Sequence, residues 1–144
     1  MLEISDLHEL LVKTQEALNR LVKGDPEPYE ALWSHLPDVT VLGGFGGYAL
    51  GWDQVKENAE FAASRFRDGH LDGFRQIAGG ESNDLAYSIW IEYGQVRVAG
   101  REESSPLVVR VTHIFRRENG AWKIIHRHGD AVIEKTEATA ILQR

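Results

Sequence analysis

Apolar residues recur every three or four positions in the first half of the chain and every second position later, and this change of period divides the sequence. Ile4, Leu7, Leu11, Leu18 and Leu21, broadened by Leu10, Ala17 and Val22, mark one face of a helix of about five turns. Ser5 stands where its N-cap falls and Gly24 where it stops. Asp25-Pro26 predicts a cap followed by proline at the first helical position. The short second helix buries Tyr29, Leu32, Trp33 and Leu36 and ends at Pro37. Residues 39–42 read as a strand, the glycines at 43, 44, 46 and 47 as a turn, and residues 48–50 as the return. Over 52–67, Val55, Ala59, Ala62, Ala63 and Phe66 mark a third helix, closed by Gly69.

Beyond Gly69 the pattern predicts strands over 72–81, 85–98, 107–118 and 121–133, with a polar tail after them. Asn119-Gly120 is the pair a type I′ hairpin demands, since both central residues need positive φ. Helices first and a long antiparallel sheet afterwards give an α+β fold, the helices covering one face of the sheet. Leu7, Leu11, Leu18, Leu32, Trp33, Val55, Ala59 and Phe66 are the expected core.

The last hairpin carries the candidate chemistry. With a two-residue turn, Glu118 faces Ala121, Phe115 faces Ile124, His113 faces His126 and Thr112 faces Arg127. Strict alternation then puts Val109, Val111, His113, Phe115, Trp122, Ile124, His126 and His128 on one face. Arg110, Thr112, Ile114, Arg116, Lys123, Ile125 and Arg127 fall on the other. On the preceding strand Ser88, Trp90 and Glu92 alternate with Tyr87, Ile89 and Ile91. Three histidines grouped in this way have the geometry of a metal site, or are neutral imidazoles packed beside Trp122 at a buried or subunit-facing surface. No carboxylate shares their face within the hairpin, and no metal is assigned. Arg110, Arg127 and Thr112 could converge on a carboxylate or a similar anion, or form a solvated outer face with Arg116 and Lys123.

Composition narrows the function. A chain of 144 residues is the size of a single domain. A net charge of −6 with no lysine–arginine run argues against nucleic acid as a partner. Cysteine is absent, which removes thiol nucleophiles and thiolate metal sites and fits a cytoplasmic setting. The stretch MLEISDLHELLVK is acidic and periodic where a signal peptide would be basic and then uniformly apolar, and no apolar run reaches membrane length, so a soluble domain is expected. The glycines at 43–47 lack the spacing and the lysine of a phosphate loop. No nucleotide, flavin or pyridoxal motif is present, so no cofactor is implied.

The order of elements, with "LNRLVKGDPEPYEALW", "DVTVLGGFGGYALGWDQV" and "RVTHIFRRENGAWKIIHRHGD", resembles the nuclear transport factor 2-like superfamily, especially its SnoaL-like and steroid-isomerase-like members. The resemblance runs to about Ile133 and implies a cone: three helices in the concave side of a curved sheet, with a pocket inside. It also implies that the arginine face looks inward. Arg110, Arg127, Thr112, Tyr87, Ile89, Ile91 and Ile114, with Trp52 and Asn58, would then line a site for a hydrophobic, anionic small molecule. The face with Trp90, His113, Phe115, Trp122, His126 and His128 would form a homodimer interface. The isomerase base falls at Gly43, its tyrosine near Ala17 and its acid near Ile114, so those catalytic groups are missing. The aspartate of the polyketide cyclases falls near His126. "WKIIHRH" is also similar to the kinase-associated assembly domains of the superfamily. Two functions follow: a small-molecule site, with or without isomerase, cyclase or hydratase chemistry, and a noncatalytic dimerising or ligand-sensing module.

Overall fold

The computed structural model describes residues 6–143. Helix α1 runs over Leu7–Leu21. Ile4 and Ser5 lie outside the described residues, and the cap is Asp6, whose carboxylate accepts the His8 N–H at 2.9 Å. Gly24 ends the turn at φ +102°, and the Asp25 N–H returns to the Arg20 carbonyl.

Helix α2 spans Glu27–Ala31 and is shorter than expected. The chain leaves it because residues 32–34 pair with Ile124: the Ile124 N–H donates to the Leu32 carbonyl, and the Ser34 N–H donates to the Ile124 carbonyl. Leu36, expected inside, is therefore exposed.

Strands β1 (Thr40–Leu42) and β2 (Ala49–Leu50) form the first hairpin, followed by α3 (Trp52–Arg65). Gly69 does not close α3. The backbone is already extended at Phe66, where β3 begins. A Cβ on Gly69 would come within 2.6 Å of the Val22 carbonyl, so that glycine lets α1 lie directly on the strand.

Strands β3 (Phe66–Glu81), β4 (Leu85–Val98), β5 (Ser105–Glu118) and β6 (Ala121–Asp130) complete a curved, unclosed sheet ordered β2-β1-β6-β5-β4-β3. The β1–β6 contact is parallel and the others are antiparallel. Register shifts between β3 and β4 bend this half of the sheet. The three helices pack on the sheet, giving the α+β cone; a short 3₁₀ turn at Ala138–Ile141 follows. Among the described residues, no helix is long and apolar enough to cross a membrane.

Leu18, Leu32, Trp33, Val55 and Ala59 are buried as expected, while Leu7, Leu11 and Phe66 are partly buried at the edge of the core. The concave face of the sheet carries Ser88, Trp90 and Glu92 of β4 beside Val109, Val111, His113 and Phe115 of β5. Of the residues that the resemblance placed toward a partner subunit, Trp90, His113 and Phe115 lie on this concave face. Trp90, His113, Phe115 and Trp122 are all at most 1% exposed within one chain, so none of them is free to form a dimer face.

One residue explains much of the difference. Phe115 pairs with Ile124, as strict alternation predicts, but Ile114 pairs with His126, leaving Ile125 as a β-bulge. The bulge sits where the far edge of β6 changes neighbours, from residues 32–34 at Ile124 to β1 at His126. Beyond it every side chain changes face. Arg127 sits opposite His113 rather than Thr112, and His126 and His128 share the outer face with Ile114 and Thr112.

Candidate functional site

The helices and the concave sheet line a partly open cavity of about 190 Å³. Leu18 and Leu21 of α1 with its C-cap Val22, and Val55, Ala59 and Ala62 of α3, give it apolar walls, with Leu71, Leu107 and Val109 contributed by the sheet. Trp52, Asn58, Phe45 and Phe66 also border it, and Phe45 meets Phe61 edge to face. Trp52 is stacked on His35 with ring centroids 3.8 Å apart.

The polar groups come from Tyr29, Glu30 and Trp33, and from Glu92 on β4 and Arg127 on β6. Arg127 donates to both oxygens of Glu92, at 2.8 and 3.1 Å, and the Trp90 indole N–H donates to Glu92 Oε1 at 3.0 Å. Glu92 is only 3% exposed, so this carboxylate depends on those donors. Burial alone would lower the Arg127 pKa, but Glu92 and Tyr29 outweigh it and hold the guanidinium firmly protonated.

Tyr29 Oη lies 3.0 Å from His113 Nε2. Burial pushes the Tyr29 phenol up to about 12, against the pull of Arg127. Burial, then the charges of Arg127 and His126, push His113 well below its ordinary range, so it is a neutral imidazole. His113 Nδ1 and Ser88 Oγ, on residues paired across β4 and β5, have no hydrogen-bond partner among the described residues. Glu30 Oε2 and Trp33 Nε1, on residues that border the cavity, have none either.

Three of the residues expected to bind ligand, Arg127, Trp52 and Asn58, border this cavity. The others do not. Tyr87, Ile89, Ile91, Thr112 and Ile114 lie on the outer face, and Arg110 is exposed there, with both Asp130 oxygens 2.8 Å from it. Strict alternation, with Thr112 opposite Arg127, would put Asp130 opposite Val109 and Arg127 on the face away from His113. The bulge brings Asp130 opposite Arg110 and turns Arg127 toward Glu92. The metal geometry is likewise lost: His113 is inside, while His126 bonds Thr40 Oγ1 at 2.8 Å and the half-exposed His128 side chain lies 3.6 Å from Asp130. Among the described residues, no three metal-ligating side chains converge.

Gly43 borders the cavity and Ala17 is buried, but Ile114, matched to the isomerase acid, is on the outer face. Glu92, Tyr29 and Glu30 border the cavity and were not assigned to it from sequence. The usable signal for Glu92 was its alternation with Ser88 and Trp90, which puts an acid on the buried side of a strand.

The chain is similar in fold to several solved structures. A nuclear transport factor 2-like superfamily protein from Salmonella enterica shares 19% identity at a TM-score of 0.73, over 92% of this chain and 97% of that one. A Thiobacillus denitrificans structure with the proposed name calcium/calmodulin-dependent protein kinase type II association domain shares 16% identity at 0.72, over 91% and 98%. A ketosteroid isomerase-like protein from Erwinia carotovora shares 14% at 0.69, over 88% and 94%. No curated protein matches the chain. The model of the SnoaL-like domain matches residues 14–134, and the chain belongs to that family.

Proposed function

We propose that the cavity binds a small, largely apolar ring compound, with its polar head against Arg127. The cavity itself carries this reading: apolar walls surround a small group of polar side chains. Its 190 Å³ exceeds the roughly 150 Å³ of an engineered apolar cavity that takes up benzene, but falls short of the roughly 300–1,000 Å³ of drug-sized sites. One or two rings fit that size.

The head group follows from the charges. An anion was expected from the convergence of Arg110, Arg127 and Thr112, yet Arg110 and Thr112 are on the outer face and Glu92 already balances Arg127. A neutral carbonyl or phenol can take one of the remaining guanidinium N–H donors without breaking the pair, whereas a carboxylate must compete with Glu92.

Calorimetry with cyclic ketones and phenols, beside acids of the same shape, tests the reading. The wild type should bind the neutral compounds, and Asn58→Trp, which fills the cavity beside α3, should weaken them at least tenfold, or about 1.4 kcal/mol. No binding by any member, or unchanged affinity in the filled variant, would overturn it. Tighter binding of the acids would restore the anionic head.

A second reading, of a homodimer, is supported by the outer sheet face. Ile77 is 60% and Tyr87 44% exposed there, with Ile89, Ile91 and Ile114 half-buried beside them. Such an apolar patch is unusual on a free surface. We place a second copy of the chain on that face.

A further inference from the structure

We propose that Asn58 is a second hydrogen-bonding anchor of this cavity, so that its ligand is a flat ring compound with oxygens at opposite edges, one met by Arg127 and the other by Asn58. This rests on the reading of the cavity as a ligand site and deepens it, from a ring with one polar head to a ring held at both ends.

Asn58 lies on α3 one turn from Val55 and one turn from Ala62, and all three border the cavity. An amide in that apolar row needs a partner. Among the described residues neither its oxygen nor its nitrogen has one, and neither atom is sealed off as the Trp33 nitrogen is. An amide both donates and accepts, so this side chain can meet a hydroxyl or a carbonyl.

The floor between the two anchors is bare backbone. Val41 pairs with Arg127 and Leu42 with His128, which brings Gly43 and Gly129 next on neighbouring strands. A Cβ on Gly129 would stand 3.3 Å from Arg127 Nη2 and 3.5 Å from Nε. One on Gly43 would stand 3.6 Å from Asn58 Nδ2 and 3.7 Å from Oδ1, and one on Gly44 would stand 3.9 Å from the Gly129 carbonyl oxygen. All three glycines border the cavity, so the guanidinium and the amide flank one patch of peptide planes that carries no side chain. Glycine lets a ligand approach the backbone closely, and a flat ring makes the most contact with such a floor.

The spacing suits one ring. Neighbouring strands run about 4.8 Å apart, so the two anchors are separated by no more than about 12 Å. A benzene ring with oxygens in para positions spans roughly 11 Å once a hydrogen bond of about 2.9 Å is counted at each end. Arg127 has donors to offer: two of its five N–H groups go to Glu92, the Tyr29 phenol draws on the same group, and the side chain is still 16% exposed.

Calorimetry with acetophenone, 4-hydroxyacetophenone and 2-hydroxyacetophenone tests this. The wild type should bind the 4-hydroxy compound about fivefold more tightly than acetophenone, the effect of one added hydrogen bond. The 2-hydroxy compound, whose oxygens share one edge, should gain nothing. Asn58→Leu keeps a branched side chain without the amide. It should bind acetophenone no more weakly than the wild type and lose the preference for the 4-hydroxy compound. The wild-type comparison needs no variant, so it decides even where Asn58→Leu fails to fold. Equal wild-type affinity for the three ketones, an equal gain for the 2-hydroxy compound, or a preference that survives in Asn58→Leu would overturn Asn58 as anchor and leave the cavity reading intact. A wild type that binds none of them would remove both.

Discussion

Glu92 and Arg127 form their paired hydrogen bonds from strands that never touch, reaching across the full width of β5. The contact ties three strands together on the concave face, and it leaves each charge dependent on the other.

Removing one partner should therefore be far worse than removing both. Arg127→Met leaves a buried carboxylate and should cost about 3–5 kcal/mol in urea unfolding. Arg127→Met combined with Glu92→Leu should recover most of that loss. A double variant as unstable as the single one would mean that the two charges do not depend on each other.

Stability should fall at both ends of the pH range, for separate reasons. His113 is held neutral in the folded chain and takes up a proton at about 6.5 when unfolded. Its contribution is complete above that value and is lost as pH falls toward the lower folded value, at up to about 1.4 kcal/mol per pH unit. His126, also depressed by burial, adds in the same direction. Tyr29 acts in the opposite sense: its folded phenol resists ionisation up to about 12, so its contribution is complete below the unfolded value of about 10 and is lost between the two. Urea titrations from pH 4 to pH 11, with Tyr29→Phe flattening the alkaline limb, check this. An acid limb that is flat below about pH 6.5 would contradict a neutral, buried His113.

The proposed dimer can be separated from the core. Ile89→Glu changes only the outer face, and light scattering should show the mass of one chain in place of two. A wild type that is already monomeric at micromolar concentration, or a variant that remains dimeric, would remove this face as the interface.

Much of the fold could be read from period and punctuation. The switch from helical to alternating spacing located the three helices and the four long strands, and Asn119-Gly120 set the hairpin register as far as Phe115–Ile124. The site was less legible, because its residues depend on which way a strand faces. On β4 the sorting of Ser88, Trp90 and Glu92 against Tyr87, Ile89 and Ile91 was correct, but nothing local says which set is inside. On β6 the bulge at Ile125 has no marker in the sequence, since no glycine or proline stands there. Its cause is distant, in residues 32–34 and β1, which share the far edge of the strand. Trp90 and His113 fall on the partner-facing side only because the family resemblance turns the arginine face inward. The helices cover them, and Glu92 and Tyr29 bond them there.

The bulge also makes the chemistry of the cone a matter of counting. Deleting Ile125 would remove no charge and no aromatic ring. It would nevertheless exchange the inventories of the two surfaces beyond Ile124, sending Arg127 outward and His126 and His128 inward. For relatives that share this fold, a single-residue gap at this point of the last strand would change the interior more than most substitutions lining it. An arginine aligned with Arg127 across such a gap would occupy the same column and the opposite side of the protein.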